Sequence, residues 1–199
     1  QLVNFATRSE SRSRLEAMTW GARHQERVVV SHERLDQRST FLTARNGTID
    51  LHTGGLMPHQ RDDLITRFCP VTYDPKAEAP LFEAFLDTTF QGDRELIEFV
   101  QRALGYSMTG STEERVFFIA YGGGKNGKST LLNLIAQVLG DYATNTPTET
   151  LMEKRFDGGP SNDIARLRGV RLVTAFEGSE GKRLAESMIK QLTGGDPIT

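Results

Sequence analysis

The sequence predicts an α/β fold with a parallel sheet and helices, preceded by a mainly helical α+β domain. Three observations support this prediction. Residues 116–120 form a continuous apolar run, as expected of a strand that is buried on both faces. Residues 131–139 follow with strongly apolar helical spacing, and residues 170–176 form a second apolar run. Strand, helix, strand and a further helix in this order are typical of a parallel sheet.

The composition is that of a globular protein. The chain has 199 residues, of which 37% are hydrophobic and 25% are charged. This length allows one large domain or two small ones with a buried core. Because the net charge is −2, a surface for nucleic acid would have to be a local basic patch. The slight arginine excess within residues 1–40 favours a solvated helix face over a binding site.

Several features concern location and completeness. No run approaches the roughly 20 apolar residues of a membrane span, and no signal peptide opens the chain. We therefore expect an intracellular, cytoplasmic protein without a membrane partner. Gln1 is not an initiator residue, and Thr199 follows a motif and not a natural helix end. We also expect a fragment of a longer protein.

The first elements follow from local spacing. Residues 9–26 have apolar residues at helical spacing and predict a helix. The Asn46-Gly47 pair predicts a β-hairpin near residues 40–52. The expected turn is type I′, which needs positive φ at both central residues.

In the middle of the chain, the sequence predicts two helices and a domain boundary. Phe-rich helical stripes at 81–90 and 96–104 are expected to face the core. A polar joint at 107–114 follows them. We place a domain boundary there, which separates a mainly helical domain, 1–106, from the first part of a second domain, 107–199.

Glycines are expected to end the last two helices. Gly140 is expected to end the helix at 131–139. Residues 183–192 have apolar residues on one face and predict a further helix, stopped by Gly194-Gly195.

The single cysteine and the four histidines carry no predicted chemistry. Cys69 lies between apolar residues and is expected to be a small core residue and not a nucleophile. One cysteine cannot form a disulfide framework or a cysteine-based zinc site within the chain. The histidines at 24, 32, 52 and 59 lack metal-ligand spacing and are expected to be structural or exposed.

Residues 122–129 read GGGKNGKS and fit the pattern G-x-x-x-x-G-K-[ST] of a phosphate-binding loop. In such a loop, consecutive N–H groups wrap the phosphates of a nucleotide, and a helix N-terminus adds its positive end. A Cβ would crowd that approach, which explains the glycines. Lys128 is expected to reach the β- and γ-phosphates, and Ser129 to place its hydroxyl on Mg²⁺. A plain glycine-rich turn is the alternative, but the apolar run before and the apolar helix after favour the loop.

The residues expected to bind ATP are those of the loop and the start of its helix: Gly122, Gly123, Gly124, Lys125, Asn126, Gly127, Lys128, Ser129 and Thr130. Two of them leave alternatives open. Lys125 and Asn126 either contact phosphate or water, or occupy exposed loop positions.

An NTPase also needs an acid at the end of a neighbouring strand, to hold Mg²⁺ or to activate water. The predicted strand at 171–177 ends in Glu177. Glu177 is therefore the expected catalytic and metal-binding acid, and the alternative is a solvated glutamate at a strand end. Glu180 is a weaker candidate, because an acid in the following loop is usually only solvated.

Three blocks resemble the superfamily III helicases, and most closely the phage and plasmid primase-helicases, whose relatives include poxvirus-type replication proteins. These blocks are GGGKNGKS (122–129), RGVRLVTAFEGSEGKRL (168–184) and MIKQLTGGDPIT (188–199). Upstream segments resemble the helical domain that precedes the motor in these proteins: ARNGTIDLHTGGL (44–56), VTYDPKAEAPLFEAFL (71–86) and IEFVQRALGYSMTGSTEERVFFIAYG (97–122). The resemblance covers most of the chain.

The resemblance implies an AAA+-like P-loop ATPase that forms a ring, typically a hexamer. Such a ring uses ATP and Mg²⁺ to move along single-stranded DNA and open a replication fork. It also implies a phage or mobile element acting in the cytoplasm of a bacterial host. By position, Lys128, Ser129 and Glu177 take the phosphate, metal and Walker B roles.

The third block matches the motif that leads into a DNA-contacting hairpin in this family. The matching residues are Lys190, Thr193, Gly194, Gly195 and Asp196. Without the resemblance, Lys190 would be a solvated charge on an amphipathic helix. The glycine pair would be only a helix stop.

Two features depart from the family pattern. Many members carry two adjacent acids at the end of the Walker B strand, whereas here Phe176 precedes Glu177 and Gly178 follows it. The division between metal binding and water activation therefore stays open. The sensor Asn and the arginine finger of the family lie beyond Thr199. Because that finger acts across a subunit boundary, the fragment alone is expected to hydrolyse ATP poorly.

Three functions remain open from the sequence. The first is a DNA helicase motor. The second is a P-loop kinase for small molecules, which would need an acceptor site and a lid of arginines. The third is an inactive ATPase-like module that docks a replication partner.

Overall fold

The computed structural model describes residues 2–26, 28–153, 166–167, 169–176 and 183–194, without the side chains of residues 2–4 and 6. Two helices open the chain. They are α1 (Leu2–Ser9) and α2 (Arg12–Ala22). The helix predicted at 9–26 is thus present as the shorter α2, and α1 precedes it. Helix α2 buries none of its residues, so this part of the chain contributes little to the core.

A three-stranded antiparallel meander follows, formed by β1 (Phe41–Ala44), β2 (Gly47–Asp50) and β3 (Leu56–Met57). The hairpin lies where the sequence predicts it, but the predicted turn is wrong. Ala44 pairs with Gly47, so the loop is Arg45-Asn46. Neither loop residue has positive φ, and the turn is therefore not type I′.

The physical reason lies in what Asn46 and Gly47 do instead. The Asn46 side chain donates to the Tyr73 carbonyl at 2.8 Å and accepts from the Tyr73 N–H at 2.9 Å. A Cβ on Gly47 would lie 2.4 Å from the Met57 carbonyl oxygen. Glycine is thus needed at this position for the close approach of β3 and not for the turn.

Helices α3 (Pro80–Thr89) and α4 (Arg94–Thr109) coincide with the two Phe-rich stripes. Pro80 opens α3, where its missing N–H costs nothing. Asp93 caps α4 by accepting from the Leu96 N–H at 3.1 Å, and Gly110 ends it with a φ of +67°. Neither helix has a fully buried residue, so the expectation that these stripes form core is only partly met.

The C-terminal part contains α5 (Lys128–Leu139), β4 (Ala143–Asn145), β5 (Leu172–Thr174) and α6 (Glu186–Gly194). Strands β4 and β5 pair in parallel. Helix α6 begins after an antiparallel bridge between Met152 and Leu184. The chain is therefore a mixed α/β protein with a small parallel sheet. A complete P-loop fold stays a prediction.

The segment at 116–120 differs from its prediction as a buried strand. It has no strand assignment, and Ile119 is 67% exposed. A strand needs a neighbour that bonds its N–H and C=O groups. Among the described residues, no strand pairs with this segment. Its apolar side chains are therefore less buried than their composition predicts. The Phe118 ring does make an edge-to-face contact with Phe99, with ring centroids 6.0 Å apart.

The buried core lies between the meander and the end of α5. Its buried members are Leu42, Ala44, Ile49, Cys69, Leu139 and Tyr142. The core thus contains residues from both sides of position 107. None of the helices in the described part of the chain combines the length and apolar character that crossing a membrane requires.

Candidate nucleotide-binding site

The glycine-rich loop at 122–127 leads directly into α5. Three of its residues have positive φ: Gly122 at +141°, Lys125 at +61° and Gly127 at +83°. Lys125 is the only non-glycine among the three, and this conformation costs an L-residue roughly 1–2 kcal/mol. Strained backbone of this kind is retained where the surrounding structure fixes it, and it often marks a functional loop.

The Lys128 ammonium group folds back over this loop. Its Nζ donates to the Gly122 carbonyl at 3.1 Å, to the Gly123 carbonyl at 3.2 Å and to Asn126 Oδ1 at 2.7 Å. Because an ammonium has three protons, all of its donors are used by loop oxygens. The cation is thus held above the loop backbone, where an arriving phosphate oxygen could replace one of these acceptors.

The glycines of the loop have different surroundings. A Cβ on Gly123 or Gly124 would meet no atom within 4 Å. A Cβ on Gly127 would lie 2.9 Å from Thr89 Oγ1 and 3.2 Å from the Phe85 ring. Gly127 is therefore required by packing against α3. The space beside Gly123 and Gly124 is open and is suited to a group that approaches the backbone.

The N-terminus of α5 adds a further positive end at the loop. The helix has 12 residues and no acid in its first turn, so no carboxylate cancels the field of its free N–H groups. Ser129 and Thr130 are exposed at this end. Open backbone, a held ammonium group and an uncompensated helix N-terminus fit a phosphate group, which is the chemistry expected of ATP.

Glu177, the predicted Walker B acid, lies outside the described residues, and its role stays a prediction. The strand that leads to it is present as β5. The Thr148 hydroxyl donates to the Phe176 carbonyl at 2.8 Å, which anchors the chain just beyond this strand. Strand β5 ends at Thr174, three residues before the predicted acid.

The residues of the third sequence block lie on α6. Lys190 Nζ is 2.6 Å from Glu186 Oε1 on the same helix, and both side chains are largely exposed. This hydrogen bond and the Lys190 charge lower the pKa of Glu186. The Thr193 hydroxyl donates to the Ile189 carbonyl at 2.9 Å, and Gly194 is the last residue of α6. Gly195 and Asp196 lie outside the described residues.

The structure thus brings the loop residues together into one site and places the Lys190 block on a separate helix. Sequence reasoning left the role of Asn126 open, and the structure gives its side chain a defined partner in Lys128. Sequence reasoning also missed Arg171, whose side chain is described below. The only signal for Arg171 was a cation at the start of an apolar strand.

Comparison with known proteins gives three findings. A family model described as "D5 N terminal like" matches residues 1–91. A protein named "Putative helicase L207/L206" from Acanthamoeba polyphaga mimivirus is 28% identical over 170 residues, which are 83% of this chain and 18% of that protein. A protein named "Putative primase C962R" from African swine fever virus is 26% identical over 174 residues, again 83% of this chain and 18% of the relative. The chain thus spans about a fifth of the length of these relatives.

Proposed function

We propose that this chain, which is similar to proteins of large DNA viruses named as a helicase and a primase, is part of an ATP-dependent DNA helicase motor that acts in replication. The proposed ligands are ATP with Mg²⁺ and single-stranded or forked DNA. In the full-length protein, the proposed assembly is a ring, typically a hexamer.

One observation carries the proposal. Lys128 Nζ lies within hydrogen-bond distance of the Gly122 and Gly123 carbonyls of the GGGKNGKS loop, which supports an anion site at this loop. The open space beside Gly123 and Gly124 allows a phosphate to contact backbone N–H groups. The related proteins are named as a helicase and a primase, which favours DNA over a small acceptor as the substrate of the proposed motor.

In this proposal the chain's own residues bind and orient the nucleotide. Loop N–H groups and the start of α5 bind the phosphates, and Lys128 transfers its hydrogen bonds from loop oxygens to phosphate oxygens. Ser129 and Glu177 would hold Mg²⁺, which would neutralise the charge that develops on the phosphates. Lys190, Thr193, Gly194, Gly195 and Asp196 are proposed to belong to the DNA-contacting motif.

Lys128→Ala tests the site directly. We expect the affinity for a fluorescent ATP analogue to fall about tenfold to hundredfold, since hydrogen bonds to a charged group contribute about 1.5–3 kcal/mol. Lys76→Ala is the matched control, because Lys76 is an exposed lysine in a separate loop and should leave the affinity unchanged. Equal affinity of both variants would show that the loop is not the nucleotide-binding site.

A second experiment tests the motor with the full-length protein. ATPase activity is measured with and without single-stranded DNA, together with strand separation on a forked substrate. Stimulation by DNA and separation of the strands support the proposal. Phosphoryl transfer to a small acceptor would instead indicate a kinase. Nucleotide binding without hydrolysis or strand separation would indicate a docking module.

A further inference from the structure

A cavity of about 560 Å³ lies beside the meander, well away in sequence from the glycine-rich loop. Its lining comes from one face of the β1–β2 hairpin and from the segments before and after the meander. The lining residues are Leu35, Thr43, Thr48, His59, Gln60, Arg61, Leu64, Ile65, Thr66 and Phe68. Its volume is within the range of about 300–1,000 Å³ that small-molecule sites occupy.

The hairpin supplies a polar wall to this cavity. Leu42 and Ile49 pair on the core face, so the next pair, Thr43 and Thr48, faces the other way and lines the cavity. Thr48 is buried, and its Oγ1 lies 3.3 Å from Nδ1 of His59. The Thr43 hydroxyl oxygen is buried and has no hydrogen-bond partner. An unsatisfied buried hydroxyl costs roughly 1–3 kcal/mol. Because the Thr43 oxygen is buried, the accessible polar group beside this wall is the exposed His59 imidazole.

The rim of the cavity is fixed by strained backbone. Leu64 and Asp36 have positive φ, at +51° and +58°. The Asp36 carboxylate accepts from the Thr66 N–H at 2.7 Å and from the Thr66 hydroxyl at 2.6 Å. The Asp36 N–H in turn donates to the Leu64 carbonyl at 3.0 Å. Each left-handed residue costs about 1–3 kcal/mol, and such strain concentrates at ligand sites.

The chemistry of the lining indicates the ligand. Leu35, Ile65 and Phe68 provide apolar walls, and the Phe68 ring offers an aromatic surface. The exposed His59 imidazole and Gln60 amide can both donate and accept hydrogen bonds, as the edge of a nucleobase requires. Stacking of a base on an aromatic side chain is worth about 1–3 kcal/mol.

None of the described residues that line the cavity is acidic. The Asp63 carboxylate lies 3.9 Å from the Arg38 guanidinium, and the Asp36 carboxylate accepts two hydrogen bonds from Thr66. Arg61 and Gln60 line the same cavity. We propose that this cavity binds a nucleobase, supplied by a free nucleotide or by a single strand of nucleic acid. The site goes beyond the proposed motor function because it contains no residue of the phosphate-binding loop.

The test uses the whole 199-residue chain with Lys128→Ala, which weakens binding at the loop. Nitrogen-15 NMR of the four histidine imidazoles is recorded during titration with deoxynucleoside monophosphates, and separately with a short oligodeoxynucleotide. We expect the His59 signals to shift while those of His52 stay in place. A response to the monophosphates identifies a free nucleotide, and a response to the oligonucleotide alone identifies a strand. No selective response at His59 to either probe would overturn the proposal.

Variants make the test independent of the spectral assignment. His59→Ala is expected to weaken binding of the responding probe about tenfold, the effect of losing roughly 1.4 kcal/mol. His52→Ala is the matched control, because His52 lies on an exposed turn outside the lining. Thr48→Val removes, at nearly constant volume, the hydroxyl that contacts His59, and should also weaken binding because the imidazole loses this positioning partner. If His59→Ala and Thr48→Val bind as the parent does while retaining its thermal stability, the cavity is not the site.

Because this readout does not depend on ATP hydrolysis, its failure and the failure of the motor proposal are distinguishable. A loss of ATP binding in Lys128→Ala with an unchanged His59 response would separate the two sites. Thr43→Val provides a folding check. Replacing the unsatisfied hydroxyl by a methyl group should raise the thermal midpoint slightly, in a cavity that is built as described.

Discussion

At the residue scale, Cys69 shows how burial controls a side chain that could otherwise react. The residue is 1% exposed, and its Sγ donates to the Leu139 carbonyl at 3.4 Å. Burial raises the pKa of the Cys69 thiol to about 11, an effect that nearby Arg171 partly offsets and Asp141 reinforces. The reactive thiolate is therefore disfavoured at neutral pH. The prediction that Cys69 is a small core residue is confirmed.

The same pKa shift predicts a pH dependence of stability. The unfolded thiol loses its proton near its ordinary pKa of 9.0, whereas the folded thiol keeps it until about pH 11. The folded state therefore binds more protons in this window, and the free energy of unfolding falls as pH rises from about 9 to about 11. The measurement is chemical denaturation across this window for the parent and for Cys69→Ala. An equally steep decline in Cys69→Ala would assign the effect to other groups.

The contact with Lys128 leads us to expect that Asn126 acts as a positioning residue for that lysine. Its Oδ1 is the nearest of the three acceptors of Lys128 Nζ, at 2.7 Å. A Cβ on Gly122 would lie 2.6 Å from Asn126 Nδ2, so glycine at 122 makes room for this amide. Holding the flexible lysine over the loop reduces the entropy that nucleotide binding must remove.

Asn126→Ala is therefore expected to weaken ATP-analogue binding by about twofold to tenfold, the range of one ordinary hydrogen bond. Asn133→Ala, an exposed asparagine on α5, serves as the control for loss of an amide nearby. Affinity is measured by titration together with the thermal midpoint of each variant. A gain in affinity would show that Asn126 competes with phosphate for the lysine, which contradicts a positioning role.

At the scale of elements, the loop joins α5 to α3 through Gly127. A Cβ at this position would meet Thr89 and Phe85 of α3, and its φ of +83° already disfavours other residues. Gly124 has neither constraint, because its φ is not positive and a Cβ would have open space. Two glycines of one motif thus have different physical roles, one in packing and one in leaving space.

Gly127→Ala is expected to lower the free energy of unfolding by about 1–2 kcal/mol, the cost of a left-handed L-residue, with the steric contact adding to it. Gly124→Ala should change it by less than about 0.5 kcal/mol, as at an unconstrained surface position. Thermal and urea unfolding of Gly127→Ala and Gly124→Ala measure the two changes in the free energy of unfolding. Equal losses in both variants would contradict the packing role assigned to Gly127.

At the scale of the whole molecule, Arg171 links elements from both sides of the predicted boundary at 107. Its guanidinium donates to the Met108 carbonyl at 2.7 Å at the end of α4, and also to the Phe41 carbonyl of β1. The guanidinium carbon lies 4.5 Å from the Tyr142 ring centroid. Burial lowers the pKa of Arg171, since desolvation disfavours the charged form. The carbonyl acceptors and the Tyr142 ring stabilise the guanidinium cation in this buried position.

Arg171→Ala is expected to lower the free energy of unfolding by about 2–4 kcal/mol, because three carbonyls lose their donor and the core loses a packed side chain. Arg171→Lys should recover less than half of this loss, since a single ammonium cannot reproduce the planar fork. Arg102→Ala removes an exposed arginine paired with Glu98, and should cost less than about 0.5 kcal/mol. Similar losses for Arg171→Ala and Arg102→Ala would refute the linking role.

Local chemistry determined much of what the sequence predicted. The hairpin near residues 40–52, the helices at 80–89, 94–109 and 128–139, and the GGGKNGKS loop depend on spacing, caps and glycine content, which act over a few residues. The resemblance to primase-helicases likewise followed from short motifs, and it agrees with the similarity to two proteins of large DNA viruses that are named as a helicase and a primase. These features need no knowledge of distant contacts.

Tertiary structure decided the rest, because contacts between distant residues override local preference. The turn moved to Arg45-Asn46 because Asn46 is held by Tyr73 and Gly47 by the approach of β3. The apolar run at 116–120 has strand composition but no described strand beside it, so its backbone is not paired. The cavity beside Thr43 and Thr48, and the links made by Arg171, join residues far apart in the chain. No local pattern encodes such neighbours, and only the folded chain brings them together.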